Sequence, residues 1–521
     1  MKTNKLFLGL LATGMLFSCT NDDEGVLDNP VSGKVNTSYI AVNVNSAYDV
    51  TRANGYENGT DDEQAVKSVH FFFFDNAGSA FNVGNEIGGT GTNYIVKTGL
   101  NDVADNPDNV ETITNAVLTI NSNKGTNPAK VVAVVNWDYS GASLKLADLK
   151  STLVTEAEAA NVTSGFLMSN SVYMSGTTVM DATPITAANI FTNDVDATSS
   201  PVDIYVERLA AKVKLTQDAE TFDTGVENPY AAGNLHAKVL AWDINTTISH
   251  SNMVKDIQGW TDAELGITGW SLEAFKRSFW AESATVGGSV ALTKNFTWNG
   301  LANTVGATDY CLENTSGENT QVLVKAQIVD EDGNPVTIVK FLGGYVTIDG
   351  LKNAVATALA SKYFTFDGSV YAPVAPADLD LKNVGDSGAD SYSVICVLNT
   401  AAAAKTWKIK NADDTYGDTT AAGVNATLAT LAPAQVWNEG KAYYFTDIKH
   451  LGAEGKLGEF GVVRNHSYVV NVEGVTGLGT PVYDGDLDIE EPVTPSDTES
   501  HIAARINVLS WRLVNSNVTL K

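Results

Sequence analysis

Apolar residues at every second position, in short runs broken by turn residues, constrain this chain more than any other feature. Residues 38–52 read SYIAVNVNSAYDVTR, with Ile40, Val42 and Val44 on one parity and Ala41, Asn43 and Asn45 on the other. An extended backbone sends successive side chains to opposite faces, so this period predicts a half-buried strand. Similar runs predict strands over 66–74, 110–120, 130–136 and 202–215, then over 321–329, 335–341, 392–398, 442–446 and 468–472, with more at the C-terminus. The run Val131-Val132-Ala133-Val134-Val135 is apolar at every position and suits a sandwich core. Asp330-Glu331-Asp332-Gly333-Asn334 separates two of these runs and predicts a hairpin with an Asp-Gly turn. Helical spacing is confined to Leu146, Leu149 and Leu153, to Leu272, Phe275 and Phe279, and to Val355, Leu359 and Tyr363. The expected class is all-β, with a few short helices. A chain of 521 residues exceeds what one hydrophobic core usually serves, so two sandwiches are expected, meeting near residue 215.

Composition removes several functions. With 33 Lys+Arg against 61 Asp+Glu, the formal net charge is −28. Nucleic-acid binding rests on neutralising phosphates with basic side chains, so no nucleic-acid partner is expected. The same charge disfavours docking on anionic lipid. Cys19, Cys311 and Cys396 are the only cysteines, too few for a disulfide scaffold or a multi-cysteine metal site. At most one bridge, Cys311 with Cys396, is open to the chain.

No catalytic constellation emerges, and no enzyme activity or cofactor is expected. His70, His236, His250, His450, His466 and His501 are scattered, and none forms a metal-binding helical pair. Gly88-Gly89-Thr90-Gly91 reads as a flexible loop rather than a phosphate cradle. Asp484, Asp486 and Asp488 alternate and could hold calcium weakly, but a solvated acidic loop leading to Pro492 and Pro495 explains them as well. Trp242, Trp270 and Trp511 lie in strand-like or amphipathic stretches, where packing is the default role.

The first residues read as an export signal. Lys2 and Lys5 precede an apolar run from Leu6 to Phe17, about a dozen residues, too short to span a bilayer of roughly 30 Å. Leu16-Phe17-Ser18-Cys19 resembles a bacterial lipobox, which implies lipidation of Cys19 after cleavage. The acidic Thr20-Asn21-Asp22-Asp23-Glu24 that follows resembles the surface-export signal of Bacteroidetes lipoproteins. Such a protein would be anchored to the membrane rather than threaded through it.

The two ends of the chain match in pattern. Val42-Asn43-Val44 near the start corresponds in period and chemistry to Ile506-Asn507-Val508 near the end. Between the first strand and the body stands Arg52, followed by small, polar Ala53-Asn54-Gly55, the kind of segment that proteases cut. Cleavage there would release the first strand and leave an apolar edge that templates an incoming strand. A neighbour's C-terminal strand could fill it, and a head-to-tail contact of that kind grows into a filament. The candidate donor side chains are Ile502, Ile506, Val508, Val514, Val518 and Leu520.

At this point the sequence resembles the Bacteroidetes fimbrillins, the subunits of type V pili, and in particular the Mfa-type major stalk subunits. The resemblance rests on Cys19 in its lipobox, Arg52, the strand 131–136 and FLMSN (166–170). It continues through VERLAAKV (206–213), RSFWA (277–281) and YCLENT (310–315), and is most specific in VVRNHSYVVNVEGVTGLGTPV (462–482) and INVLSWRLVNSNVTL (506–520). It implies two transthyretin-like β-sandwich domains, with a signal peptide over 1–18, a propeptide over 19–52, domains over 53–215 and 216–500, and a donor strand over 501–521. It also implies a lipoprotein precursor at the outer membrane, cut by an arginine-specific protease between Arg52 and Ala53. The mature protein would then polymerise by donor-strand exchange into a fimbrium that supports adhesion and biofilm formation. Expected partners are copies of the chain itself, anchor and tip subunits, and host or bacterial surface receptors. The alternative is a fimbrial tip adhesin or glycan-binding surface lipoprotein.

Overall fold

The computed structural model describes residues 36–46, 57, 59–83, 91–100, 112–122, 127–175, 178–257, 261–265, 281–294, 296–384, 393–486, 501–509 and 514–516. Strands dominate and the helices are short, so the all-β expectation holds. No described helix is long and apolar enough to cross a membrane.

The first sheet runs in the spatial order Tyr94–Thr98, Ser68–Phe74, Lys130–Val135, Met168–Asn170, Val202–Arg208, Asn36–Ser46 and Thr112–Ser122, with Thr183–Pro184 added beside Lys130–Val135. Phe71–Phe74 and Val131–Val135 are fully buried, which explains why these two segments are apolar without alternation: both faces of their strands are covered. Asn136 closes the second of them in the left-handed region, at φ 62°, a conformation that Asn tolerates. Its side-chain amide donates to the Ala65 and Phe166 carbonyls, and its Oδ1 accepts from the Lys67 amide.

After the buried Leu209 the chain enters a second unit made of two five-stranded sheets. One is ordered Thr308–Leu312, Ala210–Gln217, Ser467–Thr476, His501–Leu509 and Val514–Ser516. The other is ordered Thr221–Glu227, Asn234–Asn245, Gln321–Val329, Lys441–Asp447 and Thr480–Pro481. Val213, Leu215, Val470 and Val472 from one sheet share a core with Trp242, Ile244, Val322, Val324 and Tyr444 from the other, as in a β-sandwich. Asn234–Asn245 alternates buried and half-buried residues until its pairing register shifts between Val239 and Ala241. There the one-residue slip inverts the parity, so Ala241 and Trp242 are both buried.

A third packed cluster, not foreseen in the sequence, has its core within residues 339–436. Its five-stranded sheet (Gly344–Val346, Ile338–Phe341, Ala434–Trp437, Ser393–Leu398, Leu379–Asn383) and four-stranded sheet (Tyr371–Pro373, Tyr363–Phe366, Trp407–Lys410, Tyr416–Thr419) are joined by helices Ile348–Leu359 and Ala421–Leu428.

Several local expectations are corrected. The Asp330–Asn334 turn forms, with the Asp330 amide donating to the Asn334 carbonyl, and Gly333 taking φ 83°. The hairpin ends at a single Val329–Pro335 bridge, because Ile338–Phe341 leaves to pair in the third cluster. Leu153 begins a strand rather than ending the helix Leu146–Lys150, and Tyr363 likewise starts a strand beyond Ile348–Leu359. Leu272, Phe275 and Phe279 lie outside the described residues. Cys311 and Cys396 are free and buried in different cores, so the bridge left open by their number is not made.

Trp407 anchors the third core, 2% exposed, with its indole N–H donating to the Ala402 carbonyl at 2.8 Å. Trp407→Ala should cost about 3–5 kcal/mol. Hydrogen exchange should show the loss in residues 339–436 while Gln321–Val329 keeps its protection.

Candidate functional site

The sequence reading placed function in the two terminal strands, and the structure puts them in different sheets. Asn36–Ser46 lies inside the first sheet. All eleven residues pair antiparallel with Thr112–Ser122, while only Val42 to Ser46 also pair, in parallel, with Val202 to Val206. Ile40, Ala41 and Val42 are buried in the first core. His501–Leu509 pairs antiparallel with Ser467–Thr476 in the second unit, where Ile502 faces Val475, Ile506 faces Val470 and Val508 faces Tyr468 in register. Val514–Ser516 adds one more strand, with Val514 opposite Val508, and stands at the end of that sheet. Cys19, Arg52, Ala53, Val518 and Leu520 lie outside the described residues.

One continuous stretch of chain runs between the two places. Val202–Arg208 borders the first strand, and Ala210–Gln217 pairs in parallel with Ser467–Thr476, which carries the last strands. The turn between them is locked by buried charges. Arg208, 1% exposed, donates from Nε to the Glu63 carbonyl at 2.7 Å and from Nη1 to Asn465 Oδ1 at 3.3 Å. Lys212 lies 3.1 Å from Glu63 Oε1, which also accepts from the Tyr310 hydroxyl at 2.5 Å. Glu63 sits in a capping box with Thr60 at the start of a single helical turn, Asp61–Gln64. Gly59 must lack a side chain here, since a Cβ would lie 2.7 Å from Arg208 Nη2.

Two more buried pairs flank this knot. Lys255 meets Glu207 at 3.1 Å, and Arg464 holds Glu313 through two guanidinium nitrogens while also donating to Ser251 Oγ and to the Asn252 and Met253 carbonyls. Asn465 follows with φ 57°, its amide donating to the Ala210 carbonyl. Burial acts to raise the Glu63 pKa, but hydrogen bonds from Tyr310 and the Thr60 amide, together with Lys212, outweigh it and hold the carboxyl below its usual range. Burial pushes Glu207 the other way, against the pull of Lys255 and Arg464. Sequence reasoning missed this network. Its signal was nonetheless present, as charged residues embedded in apolar runs at 206–213 and 462–470.

Other candidates resolve into packing. Trp242, Trp298, Trp407 and Trp437 are buried with their indole N–H groups donating to carbonyls; Trp270 and Trp511 lie outside the described residues. Asn299 donates to Asp486, Asp488 lies outside the described residues, and no described group of acidic, His or Cys side chains is arranged to hold a metal. Burial pushes the Cys396 thiol up to about 11, so it is not a thiolate at neutral pH.

Residues 435–517 match the family model described as the C-terminal part of the major fimbrial subunit protein type IV, fimbrillin. The resemblance to fimbrillins is thereby supported, and the matched segment contains Ser467–Thr476 together with both C-terminal strands. No curated protein matches the chain. Among solved structures, the chain is similar to a putative cell adhesion protein from Parabacteroides distasonis ATCC 8503 at 13% identity and TM-score 0.40, covering 90% of this chain and 96% of that one. It is also similar to a fimbrilin from Porphyromonas gingivalis W83 at 11% identity and TM-score 0.33, covering 94% and 100%.

Arg464→Ala leaves Glu313 buried without its cation and should cost about 3–5 kcal/mol in denaturant unfolding. Glu63→Gln should cost about 2 kcal/mol at neutral pH. Because the folded pKa of Glu63 lies below its ordinary value of 4.5, this carboxylate's contribution is complete above that value. The difference between wild type and Glu63→Gln should therefore shrink as pH falls through the folded pKa. Paired unfolding curves between pH 3 and pH 7 check the sign.

Proposed function

We propose, from the premise of a fimbrillin C-terminal region over residues 435–517, that the chain is a structural subunit of a bacterial fimbrium that polymerises by donor-strand exchange. The precursor is exported as a lipoprotein through Cys19 to the outer membrane. An arginine-specific protease cuts between Arg52 and Ala53, and the mature chain carries a donor segment over 501–521. Its partners are copies of itself, head to tail, together with anchor and tip subunits and surface receptors. Its role is architectural, in adhesion and biofilm formation, rather than enzymatic.

The observation that supports this reading best is the contrast between the two terminal strands. Asn36–Ser46 is an internal strand whose Val42 to Ser46 have a neighbour on each edge, so its removal opens a slot in the first sheet. His501–Leu509 and Val514–Ser516 form the end of their sheet, and peeling them away leaves Ser467–Thr476 still paired in parallel with Ala210–Gln217. One end of the chain thus occupies a place that another strand could take, and the other end can leave without dismantling its own sandwich. The backbone pairing of an inserted strand supplies affinity, and its alternating side chains supply register.

Arg52→Ala should leave the precursor uncut and monomeric, with unheated gels showing no polymer ladder; a normal ladder would refute cleavage at this site. Deleting residues 502–521 should abolish fibre growth while leaving processing intact. Fibres of normal length in electron micrographs of that variant would refute the donor-strand role of Ile502, Ile506, Val508, Val514, Val518 and Leu520.

A further inference from the structure

The slot occupied by Asn36–Ser46 has two walls, and they are held in very different ways. Val202–Arg208 is anchored several times over. It pairs through Val206, Glu207 and Arg208 with Met168–Asn170 on its other edge. Glu207 is fixed to Lys255, and Arg208 is tied to the Glu63 carbonyl and to Asn465. One residue later, the same chain is woven into the second unit as Ala210–Gln217, between Thr308–Leu312 and Ser467–Thr476. Among the described residues, Thr112–Ser122 has no such second ladder or ion pair. It stands at the end of the sheet, and its only ladder partner among the described residues is Asn36–Ser46 itself. Beside that ladder, Thr114, Leu118 and Ile120 are buried and Ala116 packs against the first core.

We propose that Thr112–Ser122 is the movable wall of the slot: it swings away once Asn36–Ser46 has been cut out, and closes again over the strand that replaces it. The inference rests on the processing reading above and adds how the slot opens. Removing Asn36–Ser46 takes away every described ladder pairing of the Thr112–Ser122 backbone, along eleven residues, whereas the opposite wall loses five paired positions and keeps its other anchors. The local free energy of opening is therefore lowest at Thr112–Ser122. A nine-residue strand such as His501–Leu509 then need not thread between two fixed edges. It lies against Val202 to Val206 first, and Thr112–Ser122 zips onto its free edge. The asymmetry is already present in the intact chain, where, among the described residues, Asn36 to Ala41 pair only with Thr112–Ser122.

The test compares two buried positions that face the departing strand from opposite sides: Leu118, paired with Ile40, and Ile204, paired with Val44. Leu118→Cys and Ile204→Cys precursors are labelled with a thiol reagent before and after cutting by an arginine-specific endoprotease. A third sample is cut in the presence of a synthetic peptide of residues 501–521. The expected result is that cutting accelerates labelling at position 118 roughly tenfold more than at position 204, and that the peptide restores protection at both. Equal acceleration at the two positions would mean a rigid slot and would overturn the movable wall while leaving strand removal standing. No acceleration at either position, with the cut verified by mass, would mean that the strand stays in place, and both the processing reading and this proposal would fall. Hydrogen exchange on the wild-type protein gives the same comparison should either variant fail to fold: residues 112–122 should lose protection on cutting while Val206 to Arg208 keep theirs.

Discussion

Backbone hydrogen bonding is the constraint on which this molecule depends. A strand buried in a sheet must satisfy its N–H and C=O groups on neighbouring strands, since water cannot reach them and each unmade bond is costly. Asn36–Ser46 meets this requirement for the first sheet by lying between Val202–Arg208 and Thr112–Ser122. Without a strand in that place, Val202 to Val206 lose one edge and Thr112–Ser122 loses its described ladder altogether. The first core, with Ile40 and Val42 packed among Leu118, Ile120 and Ile204, is therefore complete only when that place is filled.

The second constraint is the set of charges buried where the chain crosses from the first sheet to the second. Glu63, Glu207, Arg208, Lys212, Lys255, Glu313 and Arg464 are each no more than 7% exposed. Ion pairs in such a place recover their desolvation cost only with good geometry, and apolar side chains of equal volume would often stabilise as well or better. What the pairs add is direction. Arg464 can satisfy its guanidinium only with Glu313, Ser251 and the Asn252 and Met253 carbonyls around it, and Arg208 only with the turn before Ser68–Phe74 held against it. Leu312 and Val463, from the second half of the chain, complete the first hydrophobic core beside these pairs. The junction is therefore fixed in one arrangement along the continuous stretch 202–217, which borders Asn36–Ser46 at one end and pairs with Ser467–Thr476 at the other.

Much of this was legible in the sequence for a simple reason: period-2 alternation and uninterrupted apolar runs report directly which strand faces are buried. Residues 393–398 show the alternation and 66–74 and 130–136 the uninterrupted runs, whereas at 38–46 the expected half-buried strand has Ala41, of the other parity, buried beside Ile40 and Val42. The third cluster was not legible, because its strands are short and its helices brief, and the same alternation serves any sheet. Ile338–Phe341 shows the limit. Its apolar pattern and the preceding Asp-Gly turn fit a hairpin with Gln321–Val329, yet Gln321–Val329 already has Asn234–Asn245 on one edge and Lys441–Asp447 on the other. With both edges taken, the following strand has to pair elsewhere. Local sequence has no means of reporting that an edge is occupied by a segment a hundred residues away.

The sequence by itself determined that the chain is β-rich, that its first and last strands share one alternation, and that its charge is strongly negative, because composition and periodicity are properties of neighbouring residues. Only the tertiary structure decided where those strands lie: one internal to the first sheet between Val202–Arg208 and Thr112–Ser122, the other at the end of the second unit's sheet. It also decided that the charged residues within VERLAAKV and VVRNHS meet Glu63, Lys255 and Glu313 out of water. Pairing between segments more than a hundred residues apart depends on which edges remain free once the cores have closed, and that is settled only when the whole chain has packed.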